Sequence, residues 1–576
     1  MEAGLPADVR PITQWLRREA VRRSTQAIAG DGRFASFLER LLWSFLRQGV
    51  LVPRDEPSIG EALRRAPAWP PTTVLLAAGT YHERLELTKP VCIMAAPGTR
   101  GLGRIVVDGD GSAGALVTVA MDADYEIERA GVGYEAAEAT ASLVGLALSP
   151  AAGGDSACLV VERGGVVLSD CSVAAPSGHG VVLRSGSRAR LAGCDVTGSL
   201  RCGLLLMDGA RAAVHRCRFG GNGSALEARA SASALDVEEC VFSGNRGTAI
   251  LIACPGACAV RRSQFEGNKG CGVMVRSSAQ PTIEGNTLRQ HKMAALALQQ
   301  SSGGLVKNNL LEGNDGVGIL VSGAARPLVE LNELRENRKA APVIEFRTDG
   351  GTVKARVVGK REDPTNKLTH ELDYLSGLAG SEWVELDETR RMVANQKGRT
   401  ELPYEVKEGM RFGSLHDGEG GTLAGASLTK GVRRCAIGVK DTSQAVIREN
   451  RLQNNQGYGI LICNAATPVV EDNTLLNHSC TAIIVENDAA PTLRGNRVGE
   501  QKGLGIDVRQ AARPVVEDND VEADGRAGIR FGDESGGVVR RNRLGLAGLV
   551  ILGSSRPETD EDEAPAPKRA RASSGD

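Results

Sequence analysis

The stretch PTIEGNTLRQHKMAALALQQSSGGLVKNNLLEGNDGVGILVSGAARPLVELNELREN, residues 281–337, repeats one pattern every 23 residues. Asn286, Asn309 and Asn332 occupy the same position in three successive copies. An aliphatic residue lies three places before each asparagine, and a leucine lies two places after it. Short apolar strands with turn residues at fixed offsets are typical of coils that stack on one another. The pattern predicts an all-β fold, a right-handed parallel β-helix whose coils are about 4.8 Å apart.

The repeated position extends in both directions from this stretch. It predicts a structural ladder of asparagines, because stacked asparagines can hydrogen-bond to one another and to the turn backbone. The ladder residues are Asn286, Asn309, Asn332, Asn450, Asn473, Asn496, Asn519 and Asn542. Toward the N-terminus the same position is filled by Ser263, Cys240, Cys217, Cys194 and Cys171. We interpret these cysteines as small apolar side chains in a buried slot. The register gives eight coils, a gap and five more coils.

A column of charges lies two places before the repeated position and alternates in sign at every coil. Its members are Glu238, Arg261, Glu284, Lys307, Glu330, Arg448, Glu471, Arg494, Glu517 and Arg540. Opposite charges on neighbouring strands attract and like charges repel. Because the alternation continues from Glu330 to Arg448, we predict that these two coils are neighbours and that the segment between them loops out.

The rest of the chain divides around this repeat. Residues 1–56 read as a helical N-terminal region that covers the open end of the coil. Residues 57–346, including the segment PSIGEAL, and residues 435–552 form the two parts of the β-helix. Residues 347–434 are richer in charge and read as an inserted small β domain of three or four antiparallel strands. Residues 553–576 form an acidic and basic tail of low complexity.

Composition bounds the environment and the partners. The net charge of −1 gives no reason to expect nucleic acid. No run of 18 apolar residues is present and the start does not resemble a signal peptide, so we expect no membrane and an intracellular protein. The thirteen cysteines show no CxxC pairing and are expected to be free thiols. The basic cluster at 567–571 is typical of a nuclear-import signal, so we expect a nuclear or cytoplasmic location.

Candidate catalytic residues are few. Most recurring carboxylates belong to the alternating column, where Arg or Lys would keep them ionised and structural. His179 lies in a repeat turn, and the pair His416 and Asp417 lies in a polar stretch without a metal ligand nearby. Aromatic platforms of the kind that stack on sugars are scarce. These observations predict that the chain is not an enzyme and has no catalytic residue, no cofactor and no metal.

Two resemblances suggest a function for the coil. The opening segments PSIGEALRRAP and TTVLLAAGTYHERLELTKPVCIMAAPG resemble pectin methylesterases and F-box-only β-helix proteins. The PxVExNxL and GxGIxV coils are similar to the latter and to carbohydrate-binding and sugar-hydrolase repeats. The F-box resemblance implies a protein-recognition scaffold that selects substrates for a ubiquitin ligase, with an adaptor bound through residues 1–56. The alternative is a carbohydrate-active β-helix enzyme, a lyase, hydrolase or epimerase.

The inserted segment resembles the Tudor and chromo-barrel class through VKARVVG, HELDYLSG and EWVELDETR. This resemblance implies a chromatin-associated scaffold that binds methylated protein tails through 347–434. Methylated Lys or Arg would be held by cation–π attraction in an aromatic cage. The residues that match are Tyr374 and Trp383, with Phe346 or Phe412 as a further wall. The same aromatics could instead form the core of a small barrel.

Overall fold

The computed structural model of the chain describes most of the repeat and part of the insert. Described residues are 49–67, 72–96, 105–108, 114–121, 140–150, 157–229, 233–337, 343–348, 351–360, 370–374, 381–387, 392–395, 402–403, 435–501, 503–523, 527–532, 534–545 and 548–559. Between residues 343 and 403 the structure describes the backbone of the strands alone. The chain forms two compact units, one of Met1–Arg246 with Ala253–Cys258 and one of Gly247–Ile252 with Ala259–Asp576.

Each coil of unit 1 contributes one strand to each of three parallel sheets. The first sheet contains β1 Val50–Val52, β2 Thr72–Leu76, β5 Val91–Ala95, β8 Thr140–Val144, β11 Gly165–Ser169, β14 Arg188–Ala192, β17 Arg211–His215 and β20 Ala234–Glu238. The second contains β3 Gly79–Tyr81, β6 Ile105–Val107, β9 Ala147–Leu148, β12 Ser172–Val173, β15 Asp195–Thr197, β18 Arg218–Gly220 and β21 Val241–Ser243. The third contains β4 Leu85–Leu87, β7 Val117–Ala120, β10 Leu159–Arg163, β13 Val181–Leu183, β16 Cys202–Leu206 and β19 Ser224–Arg229.

Unit 2 repeats this arrangement. Its first sheet contains β23 Cys258–Arg261, β26 Thr282–Glu284, β29 Leu305–Lys307, β32 Leu328–Glu330, β41 Val446–Arg448, β44 Val469–Glu471, β47 Thr492–Arg494, β50 Val515–Glu517, β53 Val538–Arg540 and β56 Glu558–Thr559. The second contains β24 Gln264–Glu266, β27 Thr287–Arg289, β30 Leu310–Glu312, β33 Glu333–Arg335, β42 Arg451–Gln453, β45 Thr474–Leu476, β48 Arg497–Gln501, β51 Asp520–Ala523 and β54 Arg543–Leu544. The third contains β22 Ile250–Ala253, β25 Val273–Val275, β28 Leu296–Leu298, β31 Ile319–Val321, β40 Cys435–Val439, β43 Tyr458–Ile462, β46 Ile483–Val485, β49 Ile506–Val508, β52 Ile529–Phe531 and β55 Leu549–Ile551.

The core of each coil consists of the inward side chains of these short strands. In the coil of β26, β27 and β28, Ile283, Leu288, Leu296 and Leu298 are all fully buried. Strands pair with the same position of the next coil, so like residues stack along each sheet. This stacking removes apolar side chains from water at every level of the coil, which is the main stabilising term of the fold. The predicted all-β parallel β-helix is confirmed.

The helix α1, Ile59–Arg65, differs from the sequence-based expectation that PSIGEAL is β-structure. The Ser58 side chain accepts a hydrogen bond from the backbone of Glu61 (3.1 Å) and so caps the first turn. The Glu83 carboxylate accepts two more from the backbone N–H groups of residues 59 and 60. The expectation of a wholly helical 1–56 is wrong at residues 50–52, which form β1 and pair with β2. Residues 1–48 lie outside the described part of the chain.

The repeated asparagine position forms a continuous hydrogen-bonded ladder within unit 2. The backbone and the side-chain amide of Asn309 both donate to Oδ1 of Asn332, at 2.9 and 3.0 Å. The Asn309 side chain also donates to the Ile283 carbonyl (2.9 Å). Seven ladder asparagines are at most 1% exposed: Asn286, Asn309, Asn332, Asn450, Asn473, Asn496 and Asn519. An unpaired amide at this depth would cost about 1–3 kcal/mol, so a side chain that both donates and accepts is required.

The coils on either side of the insert are direct neighbours, in agreement with the alternating charges. Strand β32 pairs with β41 and places Glu330 opposite Arg448. The Glu330 carboxylate contacts Arg448 at 2.7 Å and Lys307 on its other side at 3.0 Å. The amide of Asn332 donates to Oδ1 of Asn450 (3.0 Å) across a sequence separation of 118 residues.

The described residues of the insert form one antiparallel sheet of six strands, more than the predicted three or four. The strands are β34 Val343–Thr348, β35 Gly351–Lys360, β36 His370–Tyr374, β37 Ser381–Asp387, β38 Met392–Asn395 and β39 Leu402–Pro403. Each pairs with the next in sequence order. The insert departs from the turn after β33 and the chain re-enters the coil at β40.

Deletion of residues 338–432 is expected to leave a folded β-helix. The deletion restores the 23-residue spacing, and residues 433–434 replace the two turn residues that separate Asn455 from Tyr458 in the next coil. The coil contacts between β31, β32, β33 and their partners do not involve the removed residues. Circular dichroism and thermal unfolding should show a retained β spectrum and a midpoint within about 5 °C of the full chain. Aggregation or loss of the β spectrum would contradict the observed pairing across the insert.

Candidate functional site

The outer face of the second sheet in unit 2 carries a cluster of charges on four successive coils. Because side chains alternate along a strand, the residues at either end of each three-residue strand point outward. Register places Arg289 opposite Glu312, Glu312 opposite Arg335, and Glu333 opposite Arg451. Between them the inward leucines fill the core. We name the six outward residues the carboxylate–arginine cluster: Arg289, Glu312, Glu333, Arg335, Arg451 and Gln453.

Arg335 joins the two carboxylates of this cluster. Its Nε is 2.8 Å from Oε1 of Glu312, and its Nη1 is 3.3 Å from Oε1 of Glu333. Arg289 binds the other oxygen of Glu312 at 2.8 Å. The Gln453 amide donates to Oε1 of Glu333 (3.2 Å). Two glutamates are therefore held side by side on one face of the coil.

The cluster is accessible. The side chains of Glu312, Arg335 and Glu333 are 23%, 34% and 39% exposed. Since both glutamates contact one guanidinium group, their bound oxygens lie no more than about 8 Å apart. Carboxylate pairs that cleave glycosidic bonds are about 5 to 9.5 Å apart. The arrangement can place a proton acceptor and a proton donor on either side of a sugar, with guanidinium groups beside them.

A second charged group lies on the outer face of the third sheet in unit 2. Asp507 is fully buried where earlier coils carry Met274 or Leu320. Arg530 donates to both of its oxygens (2.8 and 2.7 Å), and Arg509 donates to one (2.5 Å). Burial alone would raise the pKa of Asp507, but attraction to the two guanidinium groups outweighs it and holds that pKa below its ordinary value. Asp507 is thus a buried, fully paired anion, which suits a structural role.

The site residues predicted from the sequence lie in two separate parts of the chain, the turns of the coil and the insert. The asparagine ladder is buried inside the turn. Phe346 lies on β34, Tyr374 ends β36 and Trp383 lies on β37, with β36 and β37 adjacent. Their side chains lie outside the description, so the aromatic cage and its methylated ligand stay a prediction.

Several other expectations fall outside the described residues. These include the F-box-like segment within 1–48, the pair His416 and Asp417, and the basic cluster at 567–571. No helix in the described part of the chain is long and apolar enough to cross a bilayer. Among the same residues no three potential metal ligands gather at one point. The ubiquitin-ligase adaptor, the methylated partner and the intracellular location remain predictions.

Comparison with known proteins identifies the family. The profile described as "Right handed beta helix region" matches residues 152–263, 229–356, 414–498 and 435–559, together more than half of the chain. The chain belongs to this right-handed β-helix family. No curated protein matched significantly.

Three solved structures of similar fold are named as enzymes or as a catalytic domain. A periplasmic alginate epimerase aligns with 8% identity and a TM-score of 0.35, over 82% of this chain and 83% of its own. A pectin methylesterase from Erwinia chrysanthemi aligns with 12% identity and a TM-score of 0.24, over 42% of this chain and 79% of its own. The Agl-KA catalytic domain aligns with 10% identity and a TM-score of 0.27, over 85% of this chain and 63% of its own.

The prediction that the chain is not an enzyme is corrected, because proteins that share this fold are named as enzymes. That prediction rested on the alternating charges, the scarce aromatics and the lack of a catalytic constellation in the sequence. At these identities and scores the likeness concerns the fold, so reaction and substrate must be argued from the residues of this chain.

Proposed function

We propose that the chain is a carbohydrate-active β-helix enzyme and that the carboxylate–arginine cluster is its active site. The observation that carries the proposal is the exposed pair Glu312 and Glu333, bridged by Arg335. Lyases, hydrolases and epimerases of sugars all move protons at a ring carbon or a glycosidic oxygen. A pair of carboxylates on one face supplies the acceptor and the donor for such a step.

The two glutamates differ in their partners. Glu312 contacts two guanidinium groups, those of Arg289 and Arg335, each at 2.8 Å, and is assigned as the proton acceptor. Glu333 contacts the guanidinium of Arg335 and the amide of Gln453 and is assigned as the proton donor. A sugar between them would be held against the coil by the surrounding arginines.

The guanidinium groups of the cluster favour an acidic sugar. Three of them, those of Arg289, Arg335 and Arg451, stand beside the two glutamates, and Glu266 of the preceding coil stands opposite Arg289. Guanidinium groups bind carboxylates through paired, charge-assisted hydrogen bonds. A uronic-acid unit in a polysaccharide offers such a carboxylate on each ring, whereas a neutral glucan does not.

The proposal is tested by offering the full chain a panel of polysaccharides. The panel contains polymannuronate, polygalacturonate, its methyl ester, and neutral glucans, incubated in ²H₂O and examined by mass spectrometry. We expect chain cleavage or deuterium uptake at a ring carbon in at least one acidic polymer and in none of the glucans. Turnover of neutral glucans alone would contradict the acidic-sugar assignment, and no turnover of any polymer would contradict the enzyme.

The substitution Arg451→Gln is expected to weaken substrate binding. Arg451 is exposed, stands opposite Glu333 and donates to Gln453 (3.1 Å). Loss of one charge-assisted contact to a sugar carboxylate should raise KM about tenfold and leave kcat within about twofold. Arg497→Gln is the matched control, since Arg497 is exposed in the same column two coils further along. Equal effects of the two substitutions on KM would remove Arg451 from the site.

A further inference from the structure

Two buried cysteines of unit 1 meet at the two ends of a short loop whose Pro255 and Ala257 are exposed. The loop Cys254-Pro255-Gly256-Ala257-Cys258 connects a third-sheet strand to the next first-sheet strand. The two sulfur atoms are 3.6 Å apart. Both thiols point toward one acceptor, the Ser233 carbonyl, at 3.3 and 4.0 Å. They are free thiols in the structure.

The surroundings of this pair favour reaction between the two sulfurs. The hydrogen bond with Cys258 lowers the pKa of Cys254 and raises that of Cys258, so Cys254 is the thiol that more readily becomes a thiolate. Pro255 and Ala257 are exposed, although Cys254 and Cys258 are only 0% and 6% exposed. Opening this short loop would expose the sulfurs and would break the hydrogen bond that the Ala257 carbonyl accepts from the backbone N–H of Leu235 (3.0 Å).

Four other cysteines of unit 1 lie within the stacked turns of the coil rather than at the ends of a surface loop. They stack in the turn between the first-sheet and second-sheet strands and are at most 2% exposed: Cys171, Cys194, Cys217 and Cys240. Their sulfurs are held within the coil, where the backbone N–H of Cys194 donates to Sγ of Cys217 (3.4 Å). A reagent could reach them after the turns separate, which the stacked sheets oppose.

We propose that Cys254 and Cys258 are a modification site that a low-molecular-weight disulfide converts reversibly to an intrachain disulfide. The thiolate of Cys254 attacks the reagent, forms a mixed disulfide and releases one thiol. The thiolate of Cys258 then attacks the Cys254 sulfur and releases the second thiol. Two protein thiols are oxidised, the reagent is reduced to two thiols, and the two protons pass to those thiols. The closed form joins the two ends of the surface loop.

The test uses the full chain, oxidised glutathione and mass spectrometry. After incubation under native conditions, the protein is denatured, its remaining free thiols are alkylated, and it is digested with trypsin. The peptide 247–261 contains Cys254 and Cys258 and no other cysteine. We expect this peptide to lose two hydrogens and to resist alkylation until a reductant is added. The peptides that contain Cys171 and Cys271 should remain alkylated throughout.

Two variants separate this chemistry from general thiol oxidation. In Cys258→Ser the reaction should stop at glutathione bound to Cys254, because the second thiolate is missing. In Cys254→Ser the peptide should take up much less glutathione, since the more acidic thiol is gone. The proposal is overturned if the wild-type peptide stays fully alkylated, or if it carries glutathione without forming the internal disulfide.

Discussion

The free energy of unfolding should fall by about 5 kcal/mol between pH 7 and pH 4 on account of two buried histidines alone. His291 and His478 are fully buried in the turn between the second-sheet and third-sheet strands of their coils. Other coils fill the same position with an asparagine: Asn314, Asn337 and Asn455. Burial lowers the pKa of His291 to about 4 and that of His478 to about 3. Among the described residues neither ring has a well-formed hydrogen-bond partner, and burial outweighs the backbone contacts with Asn268 and Asn455 that would favour a charge.

Stability falls in acid because the unfolded chain binds protons at a higher pH than the folded chain does. In the unfolded chain both histidines have ordinary pKa values near 6.5, so they take up protons as the pH falls below that value. The folded state stays neutral at these positions until pH 4 to 3 and therefore loses stability throughout this interval. Urea unfolding at pH 7, 5.5 and 4 measures the loss.

The double variant His291→Asn with His478→Asn isolates the two histidines from the carboxylates that also titrate in acid. Asparagine does not titrate, and its amide is the group that the neighbouring coils use. The variant should lose about 5 kcal/mol less than the wild type over the same pH interval. Identical losses in both proteins would show that the histidines are not buried as neutral rings.

Asp507→Asn should destabilise unit 2 by about 3 kcal/mol, the second large effect that the structure predicts. The substitution keeps the shape of the side chain but removes the charge that Arg509 and Arg530 share. Their side chains are 16% and 13% exposed, so water replaces little of the lost attraction. A buried ion pair contributes modestly when intact, but leaving one sign behind is costly.

The control for this substitution is Asp518→Asn. Asp518 pairs with Arg541 at 2.8 Å, but the two side chains are 42% and 50% exposed. Water and salt screen such a pair, so its loss should have a much smaller effect. Urea unfolding at pH 7 compares the two variants. A loss at Asp507 as small as the loss at Asp518 would mean that the buried group contributes no more than a surface pair.

The repeat made most of the coil predictable from the sequence. The 23-residue spacing follows from stacking, because each coil must place the same residue types over those of the last. The pairing of Glu330 with Arg448 could be predicted across the insert, since opposite charges alternate in the column. Helix α1 was missed because its apolar residues, Ile59, Ala62 and Leu63, are too few to separate a helical period from a strand.

The candidate site was missed for a different reason. The carboxylates two places before each asparagine alternate strictly with Arg or Lys, and this column made all the recurring carboxylates look structural. The glutamates of the cluster lie one and three places after the asparagines, at Glu333 and Glu312. These positions are polar in some coils and apolar in others, so they show no strict repeat. Reading the outward columns coil by coil reveals Arg289, Glu312 and Arg335 in succession.

The ion pair of Asp507 could not be recognised from the repeat pattern alone. The segment GLGIDV, residues 503–508, matches the GxGIxV pattern of a repeat strand, although its aspartate stands at the outward position. Its two partners, Arg509 and Arg530, lie 2 and 23 residues further on. The first shares its strand face and the second stacks on it in the next coil. The register therefore contained the signal for this ion pair.

The measurement that most directly tests the proposed active site is the turnover of an acidic polysaccharide by Glu312→Gln and Glu333→Gln beside Glu471→Gln. Glu471 pairs with Arg494 in the alternating column and lies outside the cluster. If the cluster performs the chemistry, kcat should fall about 100-fold or more in the first two variants and stay near the wild-type value in the third. Full activity in Glu312→Gln and Glu333→Gln would contradict the assignment and place any chemistry elsewhere on the coil.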